Sequence, residues 1–180
     1  VHPEGRFLPD TYFLNKGDAM SAILQQSMVA MDSALASAWT ERDTAIPLKS
    51  AEELLIMASI VEKETGIAEE RAQIAGVFMR RLQKGMRLET DPTVIYGIGE
   101  AYDGDIRKKD LQTLTPYNTY RMHGLPPTPI AMPGRAALEA AAHPAPGESL
   151  FFVATGDGGH VFSATYEQHR KAVKTYQLKP

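Results

Sequence analysis

The sequence predicts an α+β protein, helix-rich throughout its first half, with a small β-hairpin near its C-terminus. Three observations lead there. Apolar residues recur at helical spacing through the first half of the chain. Capping boxes, Ser50-x-x-Glu53 and Thr165-x-x-Gln168, each open a helical stretch. Two short β-prone runs flank Gly156-Asp157-Gly158-Gly159.

Taken in order, residues 1–17 (VHPEGRFLPDTYFLNKG) carry two prolines, two glycines and scattered aromatics, and read as irregular chain packed on a core. Asp18 then suits the N-cap of a long helix running to about Trp39, because its carboxylate can accept from first-turn amides. Met20, Ile23, Leu24, Met28, Met31 and Leu35 form the expected core stripe of that helix. After a connection containing Pro47, the Ser50 box opens a far more apolar helix, Ala51 to about Thr65, which Gly66 stops. Glu69 and Glu70 place acid in the first turn of the next helix, and Lys84 and Gly85 end it, as the helix dipole favours. Asp91-Pro92 and Thr115-Pro116 each read as an N-cap followed by proline at the first helical position. A proline-dense loop, Gly124–Gly134 (GLPPTPIAMPG), leads to a short alanine-rich helix, Arg135–His143, halted by Pro144. Leu150–Thr155 and His160–Ser163 form the hairpin, and the terminal helix ends near Tyr176. No repeat, low-complexity tract or composition break divides the chain, so residues 1–180 are expected to form one domain.

Composition narrows the function. A globule of 180 residues buries about 70% of its unfolded surface, enough for a core without metals or disulfides. With 43% apolar and 23% charged residues, disordered and fibrous classes are excluded. No apolar run reaches the ~18 residues of a membrane span, and the start carries no signal-peptide pattern. Lys and Arg total 19 against 22 for Asp and Glu, a net charge of −3, which argues against nucleic acid as a partner. Zero cysteines removes thiol catalysis and thiolate metal sites while leaving the compartment open. The chain begins at Val1 rather than Met, so it is expected to be a piece of something longer.

Several familiar sites are missing: no HExxH, GxSxG, SxxK or phosphate-binding glycine loop. The five histidines have no short metal-ligand spacing, so no dedicated metal site is expected. Serine and threonine nucleophiles stay open. The feature that stands out is LLIMASIVEKETG, Leu54–Gly66, where seven of the eight residues from Leu54 to Val61 are apolar. At 100° per residue, Glu64 projects between Met57 and Ile60, in the greasiest sector, and Glu62 between Leu55 and Ala58. A carboxyl held against apolar groups loses hydration and stays protonated to higher pH, as a general acid must. The competing reading has both glutamates fraying into solvent and pairing with Lys63 or Arg71. A second cluster, Thr115–Tyr120 (TPYNTY), offers Tyr117, Asn118 and Tyr120, whose ring faces and amide suit sugars. Against that stands an ordinary loop punctuated by proline. His160, in the hairpin near Phe162, reads first as a plain strand histidine.

With these residues in hand, the sequence resembles the endolytic murein (peptidoglycan) transglycosylases of the YceG-like, or MltG-like, type. The matching stretches are EGRFLPDTY, ASIVEKET, ETDPTVIYG, TPYNTY, GLPPTPIAMPG, AAHP, FFVA and GGHVFS, in family order from end to end. The resemblance implies a single catalytic domain, lysozyme-like in spirit. It covers neither the membrane anchor nor the LysM-like domain that precede this part in the full-length family. Thr128 stands where many members have glycine, Met132 where asparagine is common, and Glu89 where glutamine is frequent.

Residue by residue, the resemblance implies Glu64 as catalytic acid, and Tyr117, Asn118, Tyr120, Asp91, Thr93 and His160 as substrate-binding. It also implies Glu62 and Glu89 as candidate supporting residues, and neither a metal nor an organic cofactor. The activity implied is lytic cleavage of the β-1,4 bond between N-acetylmuramic acid and N-acetylglucosamine, leaving a 1,6-anhydro end. The implied partners are peptidoglycan strands and peptidoglycan synthases. The implied location is the periplasmic side of the inner membrane, reached through the missing anchor, with this piece itself soluble. Two other readings stand beside it. One is a lysozyme-like muramidase with Glu89 or Asp91 as second carboxylate; the other is a glycan-binding module using TPYNTY alone.

Overall fold

The structure, a computed structural model, describes residues 2–17 and 19–177. Helix α2 (Ala51–Glu64) runs through the middle, with Leu54, Met57, Ala58, Ile60 and Val61 fully enclosed. Around it pack α1 (Met20–Glu41), α3 (Arg71–Gln83), α4 (Asp91–Ile98) and α6 (Arg135–Ala142). The alanines of α6 explain its place: Ala137, Ala141 and Ala142 are fully buried and allow α1, α2 and α3 to approach together. A short helix α5 (Lys108–Gln112) lies beside α4. The chain closes with an antiparallel hairpin, β1 (Phe151–Ala154) and β2 (His160–Ser163), covered by α7 (Tyr166–Tyr176). Its register pairs Phe152 with Phe162 and Val153 with Val161. The protein is thus α+β, as its sequence predicts.

Most caps form where expected. Ser50 accepts from the Glu53 amide at 3.2 Å, although the Glu53 carboxylate turns back to the Lys49 amide at 2.7 Å rather than to Ser50. Thr165 and Gln168 make the full reciprocal box. Lys84 is the C-cap of α3 and Gly85 follows at φ 64°, the left-handed turn that glycine adopts without a Cβ penalty.

Four expectations need correction or qualification. The proposed cap Asp18 lies outside the described residues, and Ala19 at the N-cap of α1 makes no side-chain bond. The stripe on α1 is core only at its C-terminal end: Met31 is buried, whereas Met20, Leu24 and Met28 are exposed. A helix of 22 residues extends ~33 Å, and its packed face is instead Ser27, Met31, Ala34 and Ala38. The first turns of α1 therefore run past the face that α2 and α6 cover. Helix α4 begins one residue early, at Asp91, with Thr90 as N-cap and Pro92 in its first turn. Thr115-Pro116 opens no helix. There Thr115 Oγ1 accepts from the Tyr117 amide and its carbonyl from the Asn118 amide, closing a local turn.

The segment after α6 crosses α3 at Gly76. Ala145 donates to the Ala72 carbonyl at 2.8 Å, and Arg80 ties down the carbonyls of Ala145 and Ser149. A Cβ on residue 76 would collide with the Ala145 carbonyl oxygen. Gly76→Ala is therefore expected to cost about 1–3 kcal/mol in denaturant unfolding. Gly66→Ala, where a Cβ meets open space, should stay within about 0.5 kcal/mol. Equal stabilities would show that this crossing is not tight.

Candidate active site

A cleft of about 390 Å³ opens between the end of α2, the start of α4 and the hairpin with α7. Glu64, Arg81, Glu89, Asp91, Tyr120 and His160 line it. The last residue of α2 is Glu64, so the buried apolar turn Met57–Val61 leads directly to its carboxyl. Burial raises its pKa to about 7. The hydrogen bond from Thr90 Oγ1 to Glu64 Oε1 works against that rise, the Asp91 charge adds to it, and His160 opposes it. The reading in which Glu64 frays and pairs with Lys63 or Arg71 finds no such ion pair among the described residues.

Thr90 owes its position to a cluster of hydroxyls. Its amide donates to Thr119 Oγ1 at 3.0 Å, Thr93 Oγ1 donates to its carbonyl at 2.8 Å, and Thr93 and Thr119 share a bond of 2.8 Å. The other two cleft carboxylates are each engaged. Tyr120 donates its hydroxyl to Asp91 Oδ1 at 2.6 Å, and burial followed by the Asp91 contact pushes the phenol pKa up. Glu89 meets Arg81 Nη2 at 3.0 Å, while buried Arg81 also donates to the Leu88 carbonyl. Among the described residues Glu89 is the only non-glycine at positive φ, 53°, a strained geometry at the cleft wall. Phe151, Tyr166 and His169 close the far end, with Phe151 and His169 stacked at 5.2 Å. Burial and then the Arg81 charge lower the His169 pKa.

Five of the residues expected at the site thus share one cleft: Glu64, Asp91, Tyr120, His160 and Glu89. Four do not open onto it. Asn118 is buried, its amide nitrogen donating to the carbonyls of Asp110, Leu111 and Thr113 and its oxygen accepting from the Tyr120 amide. With every polar atom spent on the loop, it supports Tyr120 instead of meeting a sugar. Thr93 is fully enclosed, so its hydroxyl serves Thr90 and not a ligand. Tyr117 packs against Tyr96 at 4.8 Å and bonds Thr128, outside the cleft lining. Glu62 accepts from the Gly134 amide at 3.0 Å, fastening the proline-dense loop to α2.

Sequence reasoning missed Thr90, Arg81 and Glu70. The first precedes Asp91-Pro92 in a quoted motif, but its Thr119 partner is remote in sequence. Arg81 falls in no motif and Glu70 reads as helix-start acid; neither contact is periodic. Glu70 accepts from both the His160 amide, at 2.9 Å, and His160 Nδ1, at 2.7 Å.

A family model described as the YceG-like family matches residues 1–175. A relative from Bacillus subtilis (strain 168), named endolytic murein transglycosylase, is 38% identical over 176 residues, 97% of this chain and 48% of its own. A relative of the same name from Streptococcus pneumoniae serotype 2 is 31% identical over 171 residues, 92% of this chain and 30% of its own. The crystal structure of a yceG-like protein from Listeria monocytogenes superposes with a TM-score of 0.80 at 40% identity, over 94% of this chain and 55% of that one. The chain therefore spans half or less of the length of these curated relatives.

The raised pKa of Glu64 fixes a sign. Folded Glu64 keeps its proton up to about 7, whereas the ordinary value is 4.5. Between those values the folded chain binds more protons than the unfolded one, so stability falls as pH rises through the window, fully by about 7. Glu64→Gln escapes that loss. It should exceed the native chain by about 1–3 kcal/mol near pH 8 and match it near pH 4. Equal unfolding curves near pH 8 would contradict a desolvated carboxyl.

Proposed function

The chain belongs to the YceG-like family, and on that premise we propose that it is the catalytic part of an endolytic murein transglycosylase. The substrate is the glycan strand of peptidoglycan, cut at the β-1,4 bond between N-acetylmuramic acid and N-acetylglucosamine. The observation that carries this reading is Glu64: a carboxyl with a pKa raised to about 7 in a cleft whose other carboxylates are already engaged.

Glu64 in its acid form donates its proton to the glycosidic oxygen as the bond to the muramoyl anomeric carbon breaks. The positive charge growing on that carbon is met by the oxygen of the substrate's own 2-acetamido group. Glu64, now the anion, takes the proton of the muramoyl 6-hydroxyl, whose oxygen closes onto the anomeric carbon. The products are a 1,6-anhydro end and a free N-acetylglucosamine 4-hydroxyl. One group thus gives and regains one proton, and no water is consumed. A pKa near neutrality serves both halves, since a much stronger acid would already be ionised and a much weaker one would make a poor base later. The Thr90 hydroxyl tempers the burial of Glu64 toward that middle value.

A two-carboxylate hydrolase of the muramidase type uses its second carboxylate to attack or to activate water. Asp91 holds the Tyr120 hydroxyl and Glu89 the Arg81 guanidinium, which favours the lytic route. In the whole protein this part works on the periplasmic side of the inner membrane, anchored by a preceding segment and beside peptidoglycan synthases. No described helix is itself long and apolar enough to cross a membrane.

Mass spectrometry of murein digested in labelled water tests the reading. Anhydro ends without added label are expected; labelled reducing ends would establish hydrolysis, and intact murein would leave only glycan binding. Glu64→Gln should lower turnover by about 10²–10⁴-fold, and kcat/KM of the native chain should fall above about pH 7, following the Glu64 pKa. A folded, active Glu64→Gln chain would remove the acid from this residue.

A further inference from the structure

The contact between the start of α3 and the hairpin is one that the lytic cycle leaves unused. Glu70 and His160 are both largely enclosed, with 14% and 11% of their side-chain surfaces exposed. The two Glu70 oxygens divide the work: Oε1 accepts from the His160 amide at 2.9 Å, and Oε2 lies 2.7 Å from His160 Nδ1. Burial works to raise the Glu70 pKa, but its hydrogen bonds to His160 prevail and hold the carboxyl below the usual range. Glu70 is therefore an anion that only accepts, and the shared hydrogen belongs to Nδ1. Phe152 and Phe162 flank the ring, the first edge-on at 5.4 Å, which restricts its rotation. In the neutral ring that arrangement leaves Nε2 unprotonated. Nε2 makes no hydrogen bond among the described residues, is not enclosed, and belongs to a side chain that lines the cleft with Glu64.

We propose that Glu70 is a positioning residue: it holds His160 as the Nδ1–H form, so that Nε2 accepts a hydrogen bond from a hydroxyl or amide N–H of the sugar bound beside Glu64. The proposal rests on the glycan reading above and deepens it. Such a ring selects donors at this point of the cleft and rejects acceptors, a preference that a freely rotating imidazole could not impose.

An isosteric change reverses this chemistry. In Glu70→Gln one oxygen becomes an NH₂, which cannot accept. The remaining oxygen can satisfy the His160 amide only if the NH₂ faces Nδ1, and that pairing requires Nδ1 to be bare and Nε2 to carry the hydrogen. The opposite rotamer sets two donors against each other at the backbone. Glu70→Gln should thus turn the cleft nitrogen from acceptor to donor with little change in shape.

The test records ¹⁵N signals of the His160 ring at about pH 8, above the ~6.5 of a free imidazole. It also measures the Kd of soluble, uncrosslinked glycan strands in a Glu64→Gln background, where cleavage does not interfere. Expected results are Nδ1–H in the parent, Nε2–H in Glu70→Gln, binding weakened about tenfold, and no further weakening by Glu70→Gln once His160→Ala is present. Nε2–H in the parent would overturn the proposal, even if Glu70→Gln did not fold. So would unchanged binding after the form has switched, or the same loss in the His160→Ala background. If the native chain neither binds strands nor turns over murein, the glycan reading fails instead, and the ring signals still decide whether Glu70 positions His160.

Discussion

The site depends on a carboxyl placed at the last residue of a helix that has no solvent face over its apolar turns. Helix α2 is enclosed by α1, α3, α4 and α6, and Leu54, Met57, Ile60 and Val61 fill the centre of the molecule. Glu64 inherits that surrounding because it continues the Met57–Ile60 sector by one more turn. It still borders the cleft because the helix stops at Thr65, where the backbone turns extended. A residue one turn earlier would be sealed off, and one a few positions later would be hydrated like exposed Gly66. The elevated pKa thus follows from where the helix ends.

Around that carboxyl, irregular chain is held in place by buried polar side chains rather than by a sheet. Ser59 in the middle of α2 donates to Ile56 and accepts from the Ile130 amide at 3.0 Å, while Glu62 takes the Gly134 amide. Asn118 gathers three carbonyls from residues 110–113, and the Thr93–Thr119 pair presents Thr90 to Glu64. Each such bond adds about 1 kcal/mol, but leaving its buried partner unpaired costs about 1–3 kcal/mol. The loops are therefore better fixed than their lack of regular structure suggests, and Tyr120 and Asp91 gain a defined position beside the acid.

Much of this was legible in the sequence wherever the physics is local. The central helix, its Ser50 cap, the glycine-turn hairpin and the Thr165 box all follow from neighbours within a few residues. Helical geometry also placed Glu64 in the apolar sector rather than Glu62. Side-chain partners distant in the chain were not legible. Asn118 carries the amide expected of a sugar contact, yet only the folded turn reveals that carbonyls of residues 110–113 consume it. Glu70 and His160 are 90 positions apart, and Thr90 and Thr119 are 29 apart. The stripe on α1 misled for a related reason, because periodicity marks an apolar face without showing how far the neighbouring helices reach along it.

All of these contacts converge on the proton affinity of one group. The most direct measurement is a ¹³C titration of the Glu64 side-chain carboxyl, assigned by its loss in Glu64→Gln. A midpoint near 7 is expected. A midpoint near the ordinary 4.5 would mean that water reaches the end of α2, and would contradict a protonated acid held by burial.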